Sequence, residues 1–149
     1  MESLFLISFR KSVFVVLSAV GLSILLPSLW AQQDHTAASS PGAAWSSIQQ
    51  LVKELETAVQ SKNLHGIHEP SMKIRAPIRT LKQHSGMLDA DTGQKMIAAL
   101  KQLDNSITDL HSASDEGNQK EAESALKEVE TAFDQLKALD PDTAFKTMR

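Results

Sequence analysis

Hydrophobic side chains recur at intervals of three and four residues along most of the chain from residue 43 to residue 140. The clearest example is 117–139, where one stripe of apolar side chains runs past charges at the other positions. This alternation is typical of amphipathic helices that bury one face. Because one such helix cannot bury its face alone, we expect the earlier segments with the same pattern to pack against it.

The pattern predicts four helices, over about residues 43–61, 64–86, 94–112 and 117–139. Pro70 and Pro77 fall within the second helix and are expected to kink it or delay its start. The connections are short, and short connections make consecutive helices antiparallel neighbours. The predicted fold is therefore all-α: an antiparallel up-down-up-down four-helix bundle over 43–140, followed by a loose C-terminal tail over 141–149, from which Phe145 can fold back onto the bundle.

Residues 1–31 have the pattern of an export signal. Arg10 and Lys11 precede an uncharged apolar run that ends at a proline, and the predicted cleavage point follows Ala31. The alternative is an uncleaved anchor, because the run and its flank approach the ~20 residues that span a bilayer. The polar segment 32–42 is predicted to be a flexible tether. The domain is thus expected to be periplasmic or secreted, with membrane contact only through the export signal.

Composition removes several classes of function. The chain has 15 Lys and Arg against 18 Asp and Glu, a net charge of −3, which argues against a nucleic-acid-binding protein. It has no cysteine, which excludes iron–sulfur clusters, thiolate zinc sites and covalently attached haem. An exported domain without disulfides relies on its core, and this suits a periplasm. No glycine-flanked nucleophile, phosphate loop or zinc-protease motif occurs, so we expect a protein that is not an enzyme.

The histidines are the best candidates for chemistry. His65 and His68 are spaced i and i+3 on the predicted second helix and would share a face. The topology brings the end of the third helix, with His111 followed by Asp115 and Glu116, to the same rim as His65, His68 and Glu69. We therefore predict a site for copper, zinc or nickel at His65, His68 and His111, in which a carboxylate could replace one imidazole and Met72 could serve Cu(I). The alternative is that these histidines are solvated.

A second group of soft ligands falls at the opposite rim. His84, Met87 and Met96 combine one imidazole with two thioethers. Methionine at helical spacing is more often part of a core than a ligand, so this group is the weaker candidate.

Two segments resemble a known family. DEGNQKEAESAL (115–126) is similar to the start of the last helix of the cytochrome b562 family of periplasmic haem-binding four-helix bundles, and NLHGIHEPSMKIRAPIR (63–79) resembles its second helix, with MKIRA as the nearest match. The resemblance spans about 44–139. It implies the bundle fold and a periplasmic location. In that family a Met and a His hold the haem iron at positions where this chain has Ile48 and Lys137, so it does not imply haem.

Three functions remain open at this stage. The first is a protein that binds or buffers a metal ion, the second is a cofactor-free interaction protein with a partner in the cell envelope, and the third is a haem protein with substituted axial ligands. We expect a monomer or weak dimer. The basic second helix and the acidic fourth helix are also predicted to lie side by side, although exposed ion pairs contribute only ~0.2–1 kcal/mol each.

Overall fold

A computed structural model describes residues 40–146, and this range contains helices and no strand, as the all-α prediction requires. The predicted export signal over 1–31 and residues 32–39 of the predicted tether lie outside the described residues, whereas residues 40–42, predicted as tether, form the N-cap and first turn of the first helix. None of the helices within 40–146 has the length and apolar character needed to cross a bilayer. The elements are α1 (Pro41–Gln60), a 3-10 helix (Leu64–Ile67), α2 (His68–Lys73), α3 (Arg75–Ser85), α4 (Ala90–Asp115), α5 (Gln119–Ala138) and α6 (Pro141–Lys146).

Polar side chains fix where the long helices begin. Ser40 Oγ accepts a hydrogen bond from the Ala43 amide, and Asn118 Oδ1 accepts one from the amide of Glu121. Asp89 Oδ1 accepts from the Thr92 amide at 3.0 Å and so starts α4 several residues before the predicted boundary. Such caps satisfy amides that have no partner inside the helix.

The predicted second helix is divided into three pieces. Asn63 Oδ1 accepts from the Gly66 amide at the start of the 3-10 helix, and Ile74 separates α2 from α3. Pro77 has no amide hydrogen to donate to the carbonyl of Lys73, which accounts for an interruption at this position. The prolines were thus correctly expected to disturb this helix, but the disturbance produces separate short helices.

The hydrophobic stripes meet in one core. The rings of Trp45 in α1 and Phe133 in α5 lie 5.4 Å apart between centroids and are tilted by 36°, which joins the first and last long helices. The predicted seam positions are buried along all four segments, except Leu64 and Phe133, which are partly buried. The largest fully buried side chains are Trp45, Ile48, Leu55, Ile67, Ile74, Ile78, Leu81, Met96, Leu100, Leu103, Ile107 and Leu110.

The packing partners differ from the predicted pairing of charges. Helix α4 packs on α3 and α5, and α1 packs on the same two helices, whereas α3 and α5 form no comparable contact with each other within residues 40–146. The prediction that the basic and acidic helices lie side by side was therefore wrong. Short connections determine the neighbours, and weak surface charge pairs cannot override them. Lys82 of α3 pairs instead with Asp104 of α4, at 3.2 Å.

The chain after α5 folds back onto the domain. Asp140 has a positive φ of 46° and its Oδ1 accepts from the Thr143 amide, which starts the short helix α6 at Pro141. Phe145 is 4% exposed and belongs to the core, and α6 packs on α1. The prediction of a loose tail was wrong for 141–146, although Phe145 turns inward as expected.

Candidate metal centre

One end of the domain collects the polar residues of interest. The end of α1, the start of α2, the end of α4 and the start of α5 meet there. The Gln119 amide nitrogen donates to the carbonyl of Val59 at 3.1 Å and so ties α5 to α1. Because α4 continues to Asp115 and α2 begins at His68, both helices carry side chains into this region. We call it the histidine end, defined by His68, His111 and Asp115.

Two imidazoles are in direct contact at the histidine end. His68 Nδ1 lies 2.9 Å from His111 Nε2, although 43 residues separate them in the chain. The ring centroids are 4.8 Å apart and the planes are tilted by 41°. A neutral imidazole has one donor and one acceptor nitrogen, so a single proton can lie between these two atoms. Without that proton, two nitrogen lone pairs face one small volume.

A carboxylate completes the group. Asp115 Oδ2 lies 3.4 Å from His111 Nδ1, one helical turn further along α4. One ligand atom from each of His68, His111 and Asp115 falls within 4.8 Å of the other two. Nitrogen and oxygen ligands of this kind suit zinc, copper or nickel. The His111 side chain is 18% exposed and that of Asp115 is 59% exposed, so an ion can reach the group from solvent.

His65 is not part of this group, although the sequence predicted it. It lies in the 3-10 helix and is exposed, whereas His68 begins α2. The prediction assumed one continuous α-helix from residue 64, in which residues three apart share a face. The two residues instead lie on either side of the junction between the 3-10 helix and α2, and His68 is the one whose ring lies against His111. Asp115 takes the third place, and its i, i+4 spacing from His111 was the sequence signal for it.

Glu69 has another partner nearby. Its carboxylate pairs with Lys73 at 2.5 Å, one turn along α2. The hydrogen bond from Lys73, and then its positive charge, lower the pKa of Glu69 below its ordinary value. Glu69 therefore belongs to a local ion pair and not to the histidine group.

The three residues of the predicted group at the other rim have different surroundings. His84 Nδ1 lies 2.9 Å from the Thr80 carbonyl oxygen and is held along its own helix. Met96 is fully buried in the core, whereas Met87 is 70% exposed. One of the two thioethers is thus enclosed by packing and the other faces solvent.

The positions implied by the cytochrome resemblance do not fit haem ligation. Ile48 is fully buried and has no donor atom. Lys137 is half exposed, pairs with Asp134 at 2.6 Å and lies over the ring of Phe133 at 4.9 Å. An ammonium group held in this way at the surface is not an axial ligand to a haem in the core.

Comparisons with protein-family models, with curated proteins and with solved structures give no match for this chain. The geometry of the histidine end therefore carries the functional proposal.

Proposed function

We propose that this protein is a non-enzymatic binding protein that holds or buffers a divalent transition metal at His68, His111 and Asp115. The observation that carries the proposal is the 2.9 Å separation of His68 Nδ1 and His111 Nε2. Two nitrogens bound to one tetrahedral zinc at 2.0–2.1 Å lie about 3.3 Å apart. The two rings need only a small outward shift to accept an ion between them.

We also propose the arrangement that positions this site. The long helices form an antiparallel four-helix bundle whose second member is divided into the 3-10 helix, α2 and α3. Two facts support it: the pairing of α1 and α4 with the same two neighbours, and the meeting of α1, α2, α4 and α5 at the histidine end. The sequence of residues 1–31 supports export, so the proposed place of action is the periplasm or the exterior.

The test is a calorimetric titration of Zn(II), Cu(II) and Ni(II) into the metal-free protein at neutral pH. Every protein tested carries His35→Ala, because that imidazole lies outside the described residues and could bind metal independently. The wild-type site is expected to bind one ion. The double variant His68→Ala/His111→Ala is expected to lose that binding.

Two single variants serve as controls. His65→Ala removes an exposed imidazole near the group, and His84→Ala removes one at the other end of the domain; both are expected to bind as the parent does. Equal affinity in the parent and the double variant would show that His68 and His111 form only a hydrogen-bonded pair. The proposal would then be wrong, and the cofactor-free interaction protein would replace it.

A further inference from the structure

A thioether lies one helical turn from the histidine pair. His68 and Met72 are four residues apart in α2, so their Cβ atoms are about 5–6 Å apart on one face. Side chains of an α-helix lean toward its N-terminus, so the flexible Met72 side chain can reach back over the turn that begins with His68. The face concerned is the one that His68 directs toward His111 of α4. Sulfur and two nitrogens can therefore converge on one point.

The core does not explain why Met72 is apolar. Met72 is 50% exposed, whereas the neighbouring apolar residues Ile74, Ile78 and Leu81 are buried. Among the described residues the large hydrophobic side chains with such exposure are Met72, Met87 and Ile97. Lys73, the next residue, pairs with Glu69. This ion pair occupies the adjoining stripe of α2.

The ligand set distinguishes between metals. Imidazole binds zinc, nickel and copper, but a neutral thioether is a soft ligand that selects Cu(I). Cu(II) prefers nitrogen and oxygen ligands and forms the strongest complexes among the divalent first-row ions. The histidine end and Met72 thus offer one copper ion a nitrogen–oxygen set or a nitrogen–sulfur set.

We propose that the resident metal of this site is copper and that the site accepts both oxidation states. His68 and His111 bind the ion in either state, Asp115 contributes to Cu(II), and Met72 contributes to Cu(I). This inference rests on the proposed function, because it uses the same imidazole pair. It adds Met72 as a ligand and names the metal.

The test measures Cu(I) and Zn(II) separately in full-length protein carrying His35→Ala. Cu(I) affinity is obtained under nitrogen by competition with a chromogenic Cu(I) chelator, and Zn(II) affinity by calorimetry. Met72→Leu retains a similar volume without sulfur, and Met87→Leu is the matched control at an exposed methionine elsewhere. Circular dichroism establishes that both variants fold.

Met72→Leu is expected to lower Cu(I) affinity by at least about tenfold and to leave Zn(II) affinity unchanged. Loss of a residue that only hydrogen-bonds to a metal ligand already costs about that much, and Met72 is proposed as a ligand itself. X-ray absorption should also show a sulfur neighbour of Cu(I) that disappears in this variant and persists in Met87→Leu. If Zn(II) and Cu(II) bind but Met72→Leu retains full Cu(I) affinity, the copper inference is wrong and the proposed function stands. If no metal binds, both are wrong.

Discussion

The carboxylate of Asp115 lies 3.4 Å from Nδ1 of His111, the ring nitrogen that does not face His68. A carboxylate on this side of an imidazole favours the proton on Nδ1 and leaves the lone pair on Nε2. That lone pair then points to the place where His68 Nδ1 lies. In the proposed site, Asp115 would therefore orient His111 for metal binding, whether or not it contacts the ion.

The first prediction concerns this carboxylate. Asp115→Ala should weaken Zn(II) binding by about 10–100-fold, the usual cost of losing a group that orients a metal-binding histidine. The measurement is calorimetric titration in the His35→Ala protein. Glu116→Ala, which removes the adjacent exposed carboxylate outside the group, is the control and should bind as the parent does. Equal affinities in all three proteins would mean that packing alone orients His111.

The second prediction concerns pH. Zn(II) affinity should fall as pH is lowered through the range in which imidazoles gain protons, because metal and proton compete for the same lone pairs. At the acidic end of the series, binding of the metal should release up to one proton to solvent for each imidazole that becomes a ligand. Titrations across a pH series in buffers of matched ionic strength measure it, and His65→Ala should leave it unchanged. An affinity independent of pH in that range would assign the binding to carboxylates alone.

The third prediction concerns a close contact between α3 and α4. A Cβ added at Gly93 would lie 2.5 Å from the carbonyl oxygen of Ser85, a backbone atom that cannot move away freely. Gly93→Ala should therefore lower the free energy of unfolding by about 1–3 kcal/mol, the typical cost of overpacking. Urea unfolding followed by circular dichroism measures it.

Gly42 provides the matched control. It lies in the first turn of α1 and has nothing within 4 Å of an added Cβ. Gly42→Ala should leave stability unchanged or raise it by up to about 0.5–1 kcal/mol through helix propensity. A loss of stability at Gly42 equal to that at Gly93 would contradict the role of the Ser85 contact.

The fourth prediction concerns the cap of α4. Hydrogen bonds from Thr92, first from its backbone amide, lower the pKa of Asp89 below its ordinary value. Because the pKa is lower in the folded protein than in the unfolded chain, the stabilisation is complete above the unfolded value. It is lost as the pH falls through the folded value.

Asp89→Asn retains a good capping residue without the titrating group, since Asn and Asp are comparable caps. The variant should match the parent at neutral pH and lose less stability in acid. Urea midpoints measured from neutral to acidic pH provide the comparison. Glu128→Gln, at an exposed carboxylate of α5, should retain the dependence of the parent. Parallel curves for Asp89→Asn and the parent would show that other carboxylates control the acid response.

Periodicity predicted the parts of the fold that depend on burying one helix face. Trp45, Ile48 and Leu55 are buried as the spacing in α1 required, and the stripe of α5 is buried in the same way. Hydrogen bonds from single side chains explain where the observed helix boundaries differ from the predicted ones. Asp89 starts α4 earlier than expected because it captures the Thr92 amide, and Asp140 starts α6 where a tail was predicted. Both are single side-chain hydrogen bonds, which the hydrophobic pattern does not record.

The candidate site was predictable in part. The direction of successive helices was enough to bring His68 and His111 to the same end. His65 was predicted on spacing alone, whereas the group within 40–146 whose ligand atoms lie within 4.8 Å of one another consists of His68, His111 and Asp115. The tilt of the rings and the distance of Asp115 from His111 follow from rotamers and packing, and only coordinates give them.

Because α3 and α5 are separated, positive and negative side chains lie on different sides of the domain. Arg75, Arg79 and Lys82 lie on one of these helices, and Glu121, Glu128 and Asp134 lie on the other. Lys82 pairs with Asp104 and Asp134 pairs with Lys137, but the two helices do not pack together, so Arg75 and Arg79 are not neutralised by Glu121 and Glu128. These four charges contribute a dipole transverse to the long helices. Near a charged surface, within about one Debye length of ~8–10 Å, such a dipole aligns. An anionic surface would therefore attract the α3 side and turn α5 toward the solvent.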